Sequence, residues 1–353
     1  MNKLAPDLSI IIPVFNEQLR LPDLLHQLSK QVDIVLQFIV VDGGSSDASL
    51  QVCRSFSAQH DCLCLNTSAS RPMQMNLGAQ QANAPLLLFL HADCSIVDKN
   101  LLNRALQHYH QRRLAYGHEN IAGHFSLQFT DTQNSHALGF YFYAAKTSLN
   151  RPDTINGDQG LMISAEFFKT VGCFDDSLHF MEDARISNRI FAQGQWFTLP
   201  GTLHTSARRF ITEGLIERQI LNSLLCNLNY LGLLNNFEQA QSAYRTQAQT
   251  QGLRLRPYLQ TIHQLMFAQG FKQAICWWYR SGAYVASNAW QLVFNLDCKR
   301  HFALNDRATQ VEAIKLRRFD KYCSWFFRLG IVKAITGVLT MIWFYRLMLK
   351  HRQ

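Results

Sequence analysis

The chain has 353 residues, 48% of them hydrophobic and 17% charged, which provides ample material for a buried core and excludes an intrinsically disordered protein. Its net charge of +9 is unevenly spread: residues 1–231 carry 17 Lys+Arg and 20 Asp+Glu, whereas residues 232–353 carry 17 and 5. The basic excess in the last third points to an anionic membrane surface as neighbour; nucleic acid is not expected, because no recognisable binding motif accompanies the charge.

Leu8–Val14 is a short apolar run closed by Phe15-Asn16-Glu17. Phe38–Val41 is a second, closed by Asp42-Gly43-Gly44-Ser45, and Leu86–Leu90 a third, closed by His91-Ala92-Asp93. Runs of this kind predict strands buried on both faces. Between the first two, Leu21, Leu24, Leu25 and Leu28 share one helical face. Asp47 stands at the N-cap position of a second helix, ahead of Leu50, Val52, Cys53 and Phe56. The alternation predicts right-handed crossovers and a parallel sheet. Ligands of such sheets bind at the carboxyl ends of the strands, so Glu17, Asp42 and Asp93 are expected to converge on one crevice.

Further along, Gly123–Phe129 alternates as a strand does, and Gly157-Asp158-Gln159-Gly160 is a polar turn ahead of Leu161–Ile163. Gly172-Cys173-Phe174-Asp175 is another turn. Glu182-Asp183 opens a helix with Ile186 and Ile190 on one face and Gly194 as its stop. From Thr212 the pattern is helical. Gln239–Gln251 is polar and Gln-rich and serves as the expected linker, dividing a domain over 1–245 from a basic, aromatic-rich helical extension over 246–353.

The loop Asp42-Gly43-Gly44-Ser45-Ser46-Asp47 follows a strand and precedes a helix, yet it is neither a G-x-G-x-x-G fingerprint nor a P-loop with its lysine. An Asp at that strand end suits a uracil imide N–H or ribose hydroxyls. Asp93, ending the third run, suits Mg²⁺ or Mn²⁺ held against a diphosphate, with His91 as a second candidate ligand. Arg71 can pair with the same diphosphate through its guanidinium. Asp183, at a helix N-terminus that favours its ionised form, is the candidate general base for an acceptor hydroxyl. Arg208 and Arg209 follow in a loop as candidate phosphate contacts. Each of these residues also has an ordinary reading as a cap, a turn or a solvated charge.

The ordered series Ile12-Pro13…Asn16-Glu17, Val41-Asp42-Gly43-Gly44-Ser45-Ser46-Asp47, Arg71…Gln74-Met75-Asn76, Phe89-Leu90-His91-Ala92-Asp93, Gly157-Asp158-Gln159 and Met181-Glu182-Asp183 resembles family 2 glycosyltransferases. More narrowly, it is similar to the bacterial radical-SAM/selenodomain-associated transferase 2 subgroup. The resemblance covers residues 8–245. It implies a GT-A (nucleotide-diphospho-sugar transferase) three-layer α/β fold with a mostly parallel sheet, followed here by the C-terminal helical extension. It also implies inverting, divalent-metal-dependent transfer from a nucleotide-sugar, a UDP-sugar above all. On that footing Asp183 matches the catalytic base, and Asp93 with His91 the metal site. Pro13, Asn16, Glu17, Asp42, Arg71, Asn76, Asp158, Glu182, Arg208 and Arg209 are the nucleotide- and substrate-binding candidates. Two departures stand out: His91-Ala92-Asp93 replaces the common D-x-D, and Arg208-Arg209-Phe210 replaces Arg-Arg-Trp. A nucleotidyltransferase of similar core would carry a Gly-rich basic loop after the first strand, where Pro13-Val14-Phe15-Asn16-Glu17 stands instead. A non-enzymatic scaffold binding membranes or polyanions would not require the three aspartates.

Nine scattered cysteines, odd in number and without C-x-x-C, suggest free buried thiols in a reducing compartment. The N-terminus shows no apolar h-region before Pro13, so a cytoplasmic protein is expected, peripheral at the inner face of the cell membrane. Five of six tryptophans lie in the last third, where Trp277-Trp278-Tyr279-Arg280, Trp325-Phe326-Phe327-Arg328 and Trp343-Phe344-Tyr345-Arg346 repeat one theme. The longest uncharged run near the terminus, Ala334–Tyr345, is shorter than the roughly 20 residues that span a bilayer, so interfacial helices and a lipid-linked acceptor are expected.

Overall fold

Leu8–Val14 forms β1, and all seven of its residues are buried because the strand has neighbours on both sides and layers on both faces. The computed structural model describes residues 5–130, 132, 137–178, 180–237, 252–304 and 311–351. They form two compact units, one of residues 1–131 and 143–206, the other of residues 132–142 and 207–353.

In the first unit β1 pairs in parallel with β2 (Leu36–Asp42) and with β4 (Leu86–Phe89), and β2 pairs in parallel with the edge strand β3 (Cys62–Asn66). On the far side β7 (Leu161–Ser164) runs antiparallel to β4, and β6 (Ile121–Thr130) antiparallel to β7. β8 (Gln195–Ser206) then lies parallel to β6, and the two-residue β5 (Cys94–Ser95) closes the sheet antiparallel to β8. The order is β3-β2-β1-β4-β7-β6-β8-β5.

Alternation along each strand sends side chains to two separate cores. Ile10, Ile12, Phe38 and Val40 pack with α1 (Leu21–Ser29), α2 (Ser49–Ser57) and α4 (Leu101–Tyr116) through Leu24, Leu28, Cys53, Leu101 and Tyr109. Ile11, Ile39 and Val41 face the other way, toward α3 (Arg71–Gln80), α6 (Ala165–Thr170) and α7 (Glu182–Gln193) through Met75, Phe167 and Ile186. This is the three-layer, mostly parallel GT-A arrangement that the resemblance implies. α5 (Ala137–Lys146) carries the division between the units within it.

Three elements depart from the sequence reading. β3 is a five-residue edge strand with half-exposed side chains, so it lacks the apolar run that marks its neighbours. β8 was hidden by Pro200-Gly201 in its middle, where the pairing with β6 shifts register between His124 and Ser126. Helix α2 begins at Ser49, two residues beyond Asp47. The Asp47 Oδ1 nevertheless accepts the Ser49 N–H at 2.9 Å and its hydroxyl at 2.6 Å.

The expectation of free thiols throughout is corrected at one place. Cys53 of α2 and Cys64 of β3 form a disulfide, with Cα atoms 6.2 Å apart. Cys62 and Cys64 sit two apart on β3 and share its α2-facing side, a geometry invisible without the strand.

The second unit is helical: α8 (Arg208–Glu213), α9 (Leu215–Leu231), α10 (Arg256–Phe267), α11 (Phe271–Ser287), α12 (Trp290–Ala303), α13 (Ile314–Tyr322) and α14 (Gly330–Lys350). Arg208 and Arg209 thus open a helix rather than lying in a loop. The Gln239–Gln251 linker and the junction at 245/246 lie outside the described residues. α14 has 21 residues and is long and apolar enough to cross a membrane by length and composition. The uncharged run counted from sequence stops short of Lys333 and Arg346, but the helix continues past both.

Candidate functional site

β2, β1 and β4 are adjacent and parallel, so the segments that follow them leave the sheet at one edge. Asp42 ends β2, and its Oδ2 accepts the backbone N–H groups of Gly44 and Ser45, each at 2.9 Å. Gly44, at φ 82°, supplies the left-handed turn that brings those donors round. The other oxygen, Oδ1, is buried and has no hydrogen-bond partner among the described residues. A buried acceptor left alone costs about 1–3 kcal/mol, so this atom is an acceptor awaiting a donor.

The loop after β1 is stitched to the loop after β2. Asn16, at φ 57°, accepts the Ser46 N–H through Oδ1, and its own N–H donates to the Ser45 hydroxyl. The Glu17 N–H donates to Ser49 Oγ and the Gln18 N–H to Asp47 Oδ2. Pro13 lies buried in β1 opposite Val41. Gln74, on α3, donates its buried amide to the carbonyls of both Val14 (2.8 Å) and Val41 (2.7 Å), clamping the two strand ends. Sequence reasoning did not place Gln74 among the site residues; a polar side chain on an otherwise apolar helix face was the available signal.

At the end of β4, His91 Nδ1 lies 2.8 Å from Asp158 Oδ1. Burial and the nearby Arg71 charge push the imidazole down, but Asp158 and Asp93 outweigh them and hold His91 above its ordinary value. Asp158 belongs to the 3₁₀ turn 157–159, which Asn156 caps. The turn passes so close that a Cβ on Gly157 would sit 2.7 Å from His91 Nε2. Among the described residues no group hydrogen-bonds the Asp93 carboxylate.

Helix α7 brings in the remaining pair. Its first residue, Glu182, is 2% exposed, and burial holds its carboxyl above the ordinary value against the opposing Arg71 charge. Arg71 Nη1 pairs with Glu182 Oε1 at 3.2 Å. Asp183 follows, its Oδ2 accepting the Gly157 N–H at 2.8 Å and its Oδ1 the Ala184 N–H at 2.7 Å. Met181 takes φ 64° to turn the chain into this helix. Beneath His91 and Asp183 is a mainly apolar cavity of about 20 Å³ lined by Met75, Phe89, Phe174 and Trp196. That is room for a water, not a sugar.

His91, Arg71, Asp158, Glu182 and Asp183 are therefore one linked cluster, with Asp93 two residues from His91. Three candidates stand elsewhere in the contact network. Asn76 uses its amide on the Phe174 backbone and on Asp176. Arg208 and Arg209 belong to the second unit, and Arg209 pairs with Glu213 at 3.1 Å. Asp93, Asp158 and His91 are of the donor types a hard divalent cation takes, but among the described residues their ligand atoms are not all gathered within 4.8 Å of one another.

The chain is 31% identical over 100 residues to the glycosyltransferase AglE of Haloferax volcanii, covering 27% of this chain and 33% of that one. It is 33% identical over 92 residues to the undecaprenyl-phosphate 4-deoxy-4-formamido-L-arabinose transferase of Pseudomonas fluorescens, covering 24% and 27%. The chain thus spans about a third or less of the length of these relatives. Among solved structures, Staphylococcus aureus TarS 1–349 in complex with UDP superposes with a TM-score of 0.49 at 15% identity, covering 89% of this chain and 91% of that one. Residues 9–172, which supply β1 through β7 and the Asp42, Asp93 and Asp158 loops, match the model of Glycosyl transferase family 2.

Proposed function

We propose that this protein is an inverting glycosyltransferase that moves a sugar from a nucleotide-sugar, a UDP-sugar, to an acceptor hydroxyl. The observation that carries the reading is the buried, unpartnered Oδ1 of Asp42 at the same sheet edge as the Asp93 loop. One offers an acceptor to the imide N–H of a uracil. The other offers a free carboxylate to the diphosphate end of the same ligand through a metal. The family match of residues 9–172 supports the same chemistry.

In this reading the base sits on Asp42, within the loops that Asn16, Glu17 and Pro13 shape. Arg71 approaches the diphosphate while neutralising Glu182. Asp93, with His91 and Asp158, would hold Mg²⁺ or Mn²⁺. That ion, when bound, neutralises charge on the departing diphosphate. Asp183 takes the proton of the acceptor hydroxyl, whose oxygen attacks the anomeric carbon opposite the leaving phosphate oxygen. A new C–O bond forms as the old one breaks, and configuration inverts. The two backbone N–H groups on Asp183 fix its carboxylate in place for that task. The Pseudomonas relative is named for undecaprenyl phosphate, which supports an acceptor on a lipid carrier. The basic second unit would keep the enzyme on the inner face of an anionic membrane.

Thermal unfolding with UDP, GDP and the other nucleoside diphosphates, with and without Mn²⁺, tests the reading. A ligand that binds only the folded state raises Tm by mass action, about 2.7 kcal/mol of stabilisation at a hundredfold excess over Kd. Stabilisation by UDP that requires the metal is the expected result, and Asp93→Ala should remove the metal requirement's effect. Failure of every nucleoside diphosphate to shift Tm would end the nucleotide-sugar reading.

A further inference from the structure

Helix α14 has two unlike faces. Val332, Gly337, Phe344 and Leu347 are buried. That side packs on α11 so closely that a Cβ on Gly282 would lie 2.3 Å from the Gly337 nitrogen. Trp278 closes the contact against Phe344 and Tyr345. The opposite side presents Ile331, Ile335, Val338, Leu339, Ile342 and Trp343, all exposed, with Ile331 at 70% and Leu339 at 60%. These fall at i, i+4, i+7, i+8, i+11 and i+12, one continuous stripe over more than three turns. The segment just before it adds Trp325 (60% exposed), Phe326 and Leu329. A contiguous apolar surface of this kind is not left to water in a soluble monomer without a purpose.

The charges identify what covers it. Residues 321–350 hold five basic side chains, Lys321, Arg328, Lys333, Arg346 and Lys350, and no Asp or Glu. A second copy of the same face would oppose like charges. An anionic lipid surface would meet apolar side chains with acyl chains and cations with phosphate. Trp325 and Trp343 stand near the two ends of the stripe, and indoles of this kind favour the headgroup level.

We propose that the outer face of α14, with Trp325 and Phe326, is a bilayer-docking surface that lies within one leaflet of an anionic membrane. The helix does not cross. Its other face is locked to α11, which carries Lys272 and, in its middle, Arg280 stacked 4.9 Å over Trp277. Crossing would drag those charges into hydrocarbon, where each charged side chain is costly to bury. Lying in the interface leaves them on the wet side. This deepens the membrane part of the reading above by naming the face and the mode.

The test uses the full chain and vesicles of phosphatidylcholine with and without phosphatidylglycerol, followed by flotation and by quenching of tryptophan fluorescence with brominated acyl chains. The wild-type protein should float with the anionic vesicles, weaken in high salt, and show quenching that the Trp325→Phe/Trp343→Phe variant loses. Ile335→Asp/Leu339→Asp sits on exposed positions and should fold normally by circular dichroism, yet its partitioning should fall at least tenfold. Arg328→Glu/Arg346→Glu should fall comparably on anionic vesicles. Equal flotation of the Ile335→Asp/Leu339→Asp variant overturns the proposal. So does a lipid-free dimer that this variant dissociates, because the face then belongs to a second copy. Bound protein that resists alkaline carbonate extraction would mean a spanning helix and overturns the interfacial mode. None of these readouts involves sugar transfer, so UDP-dependent stabilisation stands or falls separately.

Discussion

Asp183 Oδ2 accepts the backbone N–H of Gly157 at 2.8 Å, joining the start of α7 to the turn that carries Asp158. A second backbone donor, the Ala184 N–H, holds Oδ1. Among the described residues the carboxylate is thus fixed by main chain alone, which separates its position from its basicity. Asp183→Asn retains an oxygen for one of those donors and removes the base. Donor affinity measured by calorimetry should survive, while transfer falls about a hundredfold or more. Equal loss of both would assign Asp183 to the donor site instead.

Asp42 offers a different separation. In Asp42→Asn the side-chain oxygen can still accept from Gly44 and Ser45, but an NH₂ group replaces the orphaned acceptor. A ligand N–H would then meet donors. UDP affinity should drop by about ten- to a hundredfold, corresponding to about 1–3 kcal/mol for a buried polar group left unpaired. Stability to denaturant should change little, since one unpaired buried polar group replaces another. Unchanged UDP affinity would show that Asp42 only shapes its own turn.

Much of this site was legible because strand ends announce themselves. Leu8–Val14 and the run ending in Asp42 are so uniformly apolar that the first polar residue after each marks the sheet edge. Helix α7 was readable to the residue, with Glu182 opening and Gly194 closing it, because acidic first turns and terminal glycines reflect the backbone groups a helix leaves unpaired. The pairing of His91 with Asp158, 67 residues apart, was not legible, since it depends on the antiparallel β4–β7 contact. The Cys53–Cys64 bridge was missed for the related reason that β3 is a short, half-exposed edge. In the last third, residue counting recorded the charge and the aromatics, but only the folded helices show that Trp278 faces inward and Trp343 outward.

The His91–Asp158 contact makes stability depend on pH in the metal-free protein. The folded-state value of His91 is raised above its ordinary 6.5. Folding therefore favours the protonated ring. The stabilisation is complete below pH 6.5 and disappears as pH rises through the folded-state value. Denaturant unfolding of wild type and His91→Gln should differ most at pH 6 and converge toward pH 9. A gap that widens with pH would mean that the ring is buried neutral and that Asp158 does not charge it.

The bridge between Cys53 and Cys64 closes a loop of 11 residues and ties the edge strand β3 to α2. Cross-linking a loop of that size restricts the unfolded chain by about 2–3 kcal/mol. Cys62 lies close enough to compete, with its sulfur 4.0 Å from that of Cys53. Burial and the neighbouring Asp61 push its thiol up to about 12, so little thiolate is present to attack the bridge at neutral pH. Non-reducing peptide mapping at acidic pH should therefore recover the Cys53–Cys64 pair and leave Cys62 open to later alkylation. Cys64→Ser, or reduction of the wild type, should lower stability by about the loop-closure amount. It should leave metal-dependent UDP binding intact, because Asp42 lies on β2, which β1 also holds from its other side. A Cys53–Cys62 pair in the map would show instead that the two sulfurs of β3 exchange, and recovery of Cys53, Cys62 and Cys64 all as free thiols from air-equilibrated protein would remove the bridge altogether.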